Sequence, residues 1–218
     1  MRKLLVFDTG PIISISMNHL LDILEPLKKK FKGKFFITEN VRKELVDRPF
    51  EIKKFKLEAI QIMKCIEDNV LQVVKHEKIN QRTKELLEIA NKCFKARGNY
   101  VKIVHFAEME VLALALNMNA DAVVIDERTT RVLVENPSRL AEILQHKLHT
   151  KIKVEKDNFE RIKEELGDLK VIRSTEIVTI AYELGLLDKY ILKMPKARKN
   201  LLEALLWGVK LDGCAVTR

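Results

Sequence analysis

Residues 4–7 (Leu4-Leu5-Val6-Phe7) form a continuous apolar run that stops at Asp8, and Pro11 comes three residues later. A run without polar alternation is buried on both faces, as strands of a parallel sheet are, and proline suits the first turn of a helix. The unit recurs. Residues 35–37 make a second apolar run, followed by Thr38 as a helix cap with Glu39 in the first turn. Residues 70–74 make a third, and residues 122–125 a fourth that stops at Asp126. Helical spacing fills the intervals at 20–31, 39–46, 50–68, 80–96 and 105–118. The last of these is apolar around most of its circumference (Val111 to Leu116), which predicts a buried helix. Strands alternating with helices specify an α/β fold, a central parallel sheet between two helical layers.

After Asp126 the pattern is less regular. Residues 137–149, 158–166, 175–184 and 197–209 read as helices, and 171–172 as a last short strand. No repeat, low-complexity tract or long linker divides the 218 residues, and 47% apolar content supplies a core for one domain. The expected division is a core over 1–131, an inserted, charge-rich and mostly helical segment over 132–170, and returning helices over 171–218.

Forty Lys and Arg against thirty-one Asp and Glu leave a net charge of +9, which favours polyanionic partners and also solubility. Cys65, Cys93 and Cys214 are too far apart and too few for a disulfide framework or a paired zinc spacing. Asp8 cuts the first apolar run too early for an export signal, and no run approaches the roughly 18 residues of a membrane span. A cytoplasmic, reducing location is expected. Lysine in excess of arginine and scarce glutamine hint at a heat-loving source.

The chemistry-bearing residues are acids. Asp8 and Asp126 each end a predicted strand, and in a parallel sheet both fall at the carboxyl edge, where open α/β folds place their sites. Either alone fits a helix cap equally well. Glu44 comes three residues after Val41, beside the apolar stripe of its helix; by position alone it also fits a solvated surface residue. Glu108 and Glu110 open the buried helix about 200° apart, so they cannot share one site. Glu108 is stacked with Leu112 and Ala115 and is taken as the inward one; Glu110 is stacked with Leu114 and Asn117, which suggests solvent. Carboxylates that converge repel, and a hard divalent ion relieves them. Acids holding metal with a basic surface around them are the arrangement expected of a metal-dependent nuclease.

These residues resemble the PIN-domain ribonucleases. Residues 4–13, an apolar strand ending in Asp8-Thr9, are similar to the family's opening. Thr38-Glu39-Asn40-Val41-Arg42-Lys43-Glu44-Leu45 resembles its second motif, Ala107-Glu108-Met109-Glu110-Val111-Leu112-Ala113-Leu114-Ala115-Leu116 its third, and Ala120-Asp121-Ala122-Val123-Val124-Ile125-Asp126-Glu127-Arg128 its last acid and strand. The likeness covers 1–131 and returns at Ser174-Thr175, at 184–187 and at 210–214. Ala107 replaces a glycine of one prokaryotic branch, and 132–170 have no counterpart in compact members. The resemblance implies a three-layer α/β/α fold and a Mg²⁺ or Mn²⁺ site on Asp8, Glu44, Glu108 and Asp126. It also implies cleavage of single-stranded RNA to leave a 5′-phosphate, dimers in many members, and in many a toxin role with an antitoxin partner.

Thr9, Ser174, Glu127 and Arg128 are secondary candidates. Thr9 and Ser174 fit either the orientation of a ligand or a helix cap, and Arg128 either a phosphate contact or a solvated residue. Lys28, Lys29, Lys30, Lys32 and Lys34 form the densest basic run, and Trp207 among leucines reads as core or a dimer seam. Phe7-Asp8-Thr9-Gly10 also spells an aspartic-protease signature, but that enzyme needs a second copy in an all-β fold. A catalytically silent RNA- or protein-binding module and a structure-specific DNA nuclease are the remaining alternatives.

Overall fold

The computed structural model describes residues 3–75 and 77–214; of Glu77, Lys78 and 212–214 it describes the backbone only. The cysteine expected to stay unpaired at 214 therefore lies outside the described side chains. Five strands form a parallel sheet: β1 (Lys3–Phe7), β2 (Gly33–Thr38), β3 (Leu71–Val74), β6 (Ala122–Val124) and β8 (Val171–Ile172), in the order β3-β2-β1-β6-β8. Three short strands between them in the chain, β4 (Phe94–Ala96), β5 (Asn99–Tyr100) and β7 (Ile152–Val154), form a separate antiparallel sheet in the order β5-β4-β7.

The helices are α1 (Thr9–Met17), α2 (Leu24–Phe31), α3 (Glu39–Arg42), α4 (Arg48–Ile52), α5 (Lys56–Glu67), α6 (Glu77–Asn91), α7 (Phe106–Met118), α8 (Arg128–Glu135), α9 (Ser138–Leu148), α10 (Lys156–Leu166), α11 (Ser174–Glu183) and α12 (Ala197–Cys214). A π-helical turn, Lys43–Asp47, joins α3 to α4. Helix α7 packs across β1, β2 and β6 with α6 beside it, while α1, α11 and α12 pack together in the other layer. The predicted α/β/α architecture is the observed one.

Burial accords with the sequence pattern. Val6, Phe7, Ile37, Val123 and Val124 are fully enclosed, as are Met109 and Val111 to Ala115 of α7. Phe7 meets Phe35 across β1 and β2 at a ring separation of 5.1 Å. Gly33 begins β2 where a Cβ would collide with the Lys3 carbonyl and the Phe31 ring, so this approach requires glycine.

Several expected elements are corrected. The helix expected over 80–96 ends at Asn91, and Phe94 to Ala96 pair as β4 with β5 through Arg97 and Gly98, both at positive φ. A two-residue turn of that kind closes a hairpin, and it overrides the helical spacing before it. The segment 132–170, expected to be mostly helical, holds α9, α10 and the end of α8, with one short strand, β7, which pairs with β4; Phe94 packs edge-on against Phe159 of α10 at 6.1 Å. The helix expected over 50–68 is broken at Lys53 and Phe55, which take left-handed conformations. Of the two expectations for Trp207 the core one is corrected, since it is 57% exposed and Leu205 and Val209 supply the buried side of α12; the dimer-seam one is a matter for a second copy of the chain.

Candidate metal centre

The strand order reverses between β1 and β6, and a crevice opens at such a point beyond the carboxyl ends of the strands. Phe7 lies opposite Val124, and the Asp8 amide donates to the Val124 carbonyl at 2.9 Å. Asp8 and Asp126 therefore leave adjacent strands at the same level. Both line one cleft of about 1150 Å³, together with Glu44 and Glu108. The four predicted acids, from β1, the π-helical turn, the start of α7 and the end of β6, are thus brought to one place. Among the described residues, none of the four makes a salt bridge, in a protein whose net charge is +9.

Asp8 occupies the N-cap position of α1 without a full side-chain capping hydrogen bond, though the Thr9 and Gly10 amides at the start of the helix act on its carboxylate. It is buried at 7% exposure. Burial pushes its pKa from 3.8 up to about 7; the Thr9 and Gly10 amides pull it down, and Glu108 and Glu44 push it further up. Glu108 is raised as well, mainly by burial and partly by Glu127 and Glu44, against the pull of the His105 amide. That amide donates to Glu108 Oε2 at 2.6 Å and closes a capping box, so Glu108 both faces the cleft and caps its helix.

Glu44 is exposed, and its carboxylate accepts from Thr9 Oγ1 at 2.6 Å. The π-helical turn presents it: an extra residue in one turn rotates the residues after it, while Val41 and Leu45 stay buried. Asp126 accepts from the Ser174 amide at 2.8 Å on Oδ1 and from Ser14 Oγ at 3.2 Å on Oδ2. Ser174 acts through its backbone at the first position of α11, where Arg173 is the cap residue. Glu127 caps α8 by accepting from the Thr130 amide at 2.5 Å, and Arg128 lines the cleft without a side-chain partner among the described residues.

Sequence reasoning missed Ser14. It is fully buried in α1, six residues after Asp8, and the two serines Ser14 and Ser16 within an apolar helix are the available signal. The placement of Glu110 is corrected: it is not solvated but 7% exposed, with Oε2 unpartnered, and it lines a separate pocket of about 300 Å³ at the ends of β2 and β3. The basic run around Lys28 to Lys34 precedes β2 and so lies at the opposite edge of the sheet from the acids.

A family model described as a PIN domain matches residues 4–138. The chain belongs to the PIN-domain family. No curated protein matches it. The matched part of this PIN domain holds all four acids and ends where α9 begins. As a donor set the acids fit a hard divalent ion: oxygen ligands only, mutually repelling, and without a cation of their own. Gly10 lies between the aspartates, where a Cβ would sit 3.6 Å from Asp126 Cβ and 3.8 Å from Asp8 Oδ2. Among the described residues of the PIN domain, no three His, Cys, Asp or Glu side chains are gathered tightly enough to hold an ion as they stand. No described helix is long and apolar enough to cross a membrane.

Proposed function

We propose that this PIN domain is a metal-dependent endoribonuclease acting on single-stranded RNA. The observation that supports it is the meeting of four carboxylates, none salt-bridged among the described residues, at the crevice between β1 and β6. Asp8, Glu44, Glu108 and Asp126 would hold Mg²⁺ or Mn²⁺. Such an ion, when bound, lowers the pKa of water and neutralises charge on a phosphoryl transition state. The chain's own residues orient the ligands: Thr9 fixes Glu44, while Ser14 and the Ser174 amide fix Asp126, as outer-shell donors do for metal carboxylates. Gly10 keeps the space between the aspartates clear. In the reaction a water oxygen adds to phosphorus and the bond to the 3′ oxygen breaks, leaving a 5′-phosphate and a 3′-hydroxyl.

The test is purified protein with labelled single-stranded RNA in Mn²⁺, against EDTA and against Asp8→Asn. Cleavage by the wild type in Mn²⁺ alone, at least 100-fold faster than by Asp8→Asn, is expected. Equal cleavage by Asp8→Asn refutes the assignment, and RNA binding without cleavage transfers the protein to the silent-module reading.

A further inference from the structure

The wall of the cleft facing the acids is built by α9, which lies beyond the family match and within the segment that the compact members lack. Helix α9 packs against α8 and β7 through Leu140 and Leu144, which are buried. The arc beside those leucines carries Arg139, Ile143, His146 and Lys147, which line the cleft. At 100° per residue these four fall within an arc of about 100°, and Arg139 to Lys147 spans ~12 Å of helix. That length exceeds the roughly 3.4 Å axial rise per nucleotide in one strand of a DNA duplex, so the wall can reach more than one phosphate. Arg128, at the start of α8, lines the same cleft.

Arg42, Arg82, Arg173 and Arg198 are each tied to carboxylates, whereas among the described residues Arg48, Arg97 and Arg161 elsewhere on the surface are not. Among the described residues, the side chains of Arg128, Arg139, His146 and Lys147 have no hydrogen bond or salt bridge. Glu142 shares the wall and forms no salt bridge with its basic neighbours. Cations left without partners opposite a group of acids do not neutralise the protein's own charge; they present it to a ligand that carries negative charge on both sides of its reacting centre.

We infer that α9 is a substrate-positioning wall: Arg139 and Lys147, with His146 and Arg128 beside them, take the phosphates flanking the scissile one, so that the inserted segment sets how a single RNA strand lies across the acids. The inference rests on the proposed nuclease reading for the word substrate, but its readout is binding. Affinity for a fluorescent single-stranded oligoribonucleotide is measured in EDTA, where no cleavage occurs, at several salt concentrations. The double variant Arg139→Gln, Lys147→Gln is expected to bind at least tenfold more weakly. Its plot of log affinity against log salt should be flatter by about 1.4, the equivalent of two lost phosphate contacts on a single strand.

A charge-matched control, Lys30→Gln with Lys32→Gln, alters the opposite edge of the sheet and should stay within twofold of wild type. Glu142→Gln should tighten binding, and it tests the wall without removing a basic residue. An unchanged affinity and salt slope in the α9 double variant overturns the inference, as does an equal loss in the control or no gain from Glu142→Gln. Failure of the wild type to cleave RNA in Mn²⁺ would remove the nuclease reading alone, since these measurements contain no metal.

Discussion

Asp8 combines burial with two acidic neighbours, and ionising it in the folded state sets a cost on folding. The unfolded chain ionises this carboxyl near 3.8, whereas the folded protein holds the proton until about 7. Below pH 4 both states are protonated and the cost is absent. Between pH 4 and 7 only the unfolded state gives up its proton, so stability falls as pH rises, and above 7 the full cost remains. Asp8→Asn removes it. In EDTA the variant is expected to be more stable than wild type at pH 8, by on the order of 2–4 kcal/mol, with the advantage fading toward pH 4. Denaturant titrations at both pH values check this, and equal midpoints at pH 8 would show that the carboxylate is not strained by its surroundings. Thr9→Val is the complementary case. It deletes the donor to Glu44 while keeping shape, so Mn²⁺ affinity should drop about 10-fold or more with little loss of stability, as read by metal titration and thermal melting.

At the scale of elements, Glu108 serves the helix and the cleft together. Its carboxylate accepts the His105 amide at the start of α7, and a glutamine can accept the same bond. Glu108→Gln should therefore lose metal-dependent cleavage yet melt within a degree or two of wild type, whereas Glu108→Ala should also lose about 1 kcal/mol of helix capping. If both variants melt alike, the cap is not contributing. The same element shows what is legible in the sequence. A continuous apolar run ending in an acid fixes the ends of β1 and β6, because strand direction and burial leave few alternatives, and from those ends come the positions of Asp8 and Asp126. The interval from Val41 marks Glu44, but its route into the cleft depends on a π-helical turn that no residue announces. Glu110 reads as solvated because Asn117 implies solvent along the whole stripe, while the fold buries the middle of α7 from Met109 to Ala115 and exposes the helix only at Asn117. The helical spacing of 80–96 misleads at its end: the turn at Arg97 and Gly98 folds β4 back on β5, and its second partner, β7, lies nearly sixty residues away, where local spacing cannot encode it.

For the whole molecule, the cleft and the core are coupled through charge. Four acids without salt bridges at the end of the central strands oppose the native state, and a bound divalent ion would turn that opposition into stabilisation. Binding to the folded state alone adds RT ln(1 + [L]/Kd), about 2.7 kcal/mol at a hundredfold excess over the dissociation constant. The gain must depend on pH, because a metal competes with the proton that burial holds on Asp8 up to about 7. Mn²⁺ is therefore expected to raise the melting temperature by several degrees at pH 8 and by little at pH 5, with EDTA reversing the shift. Asp8→Asn should show little response at either pH, although it starts from the higher baseline. A shift that persists in Asp8→Asn, or one that is as large at pH 5 as at pH 8, would place the ion elsewhere on the protein and separate the stability of the sheet from the chemistry at its edge.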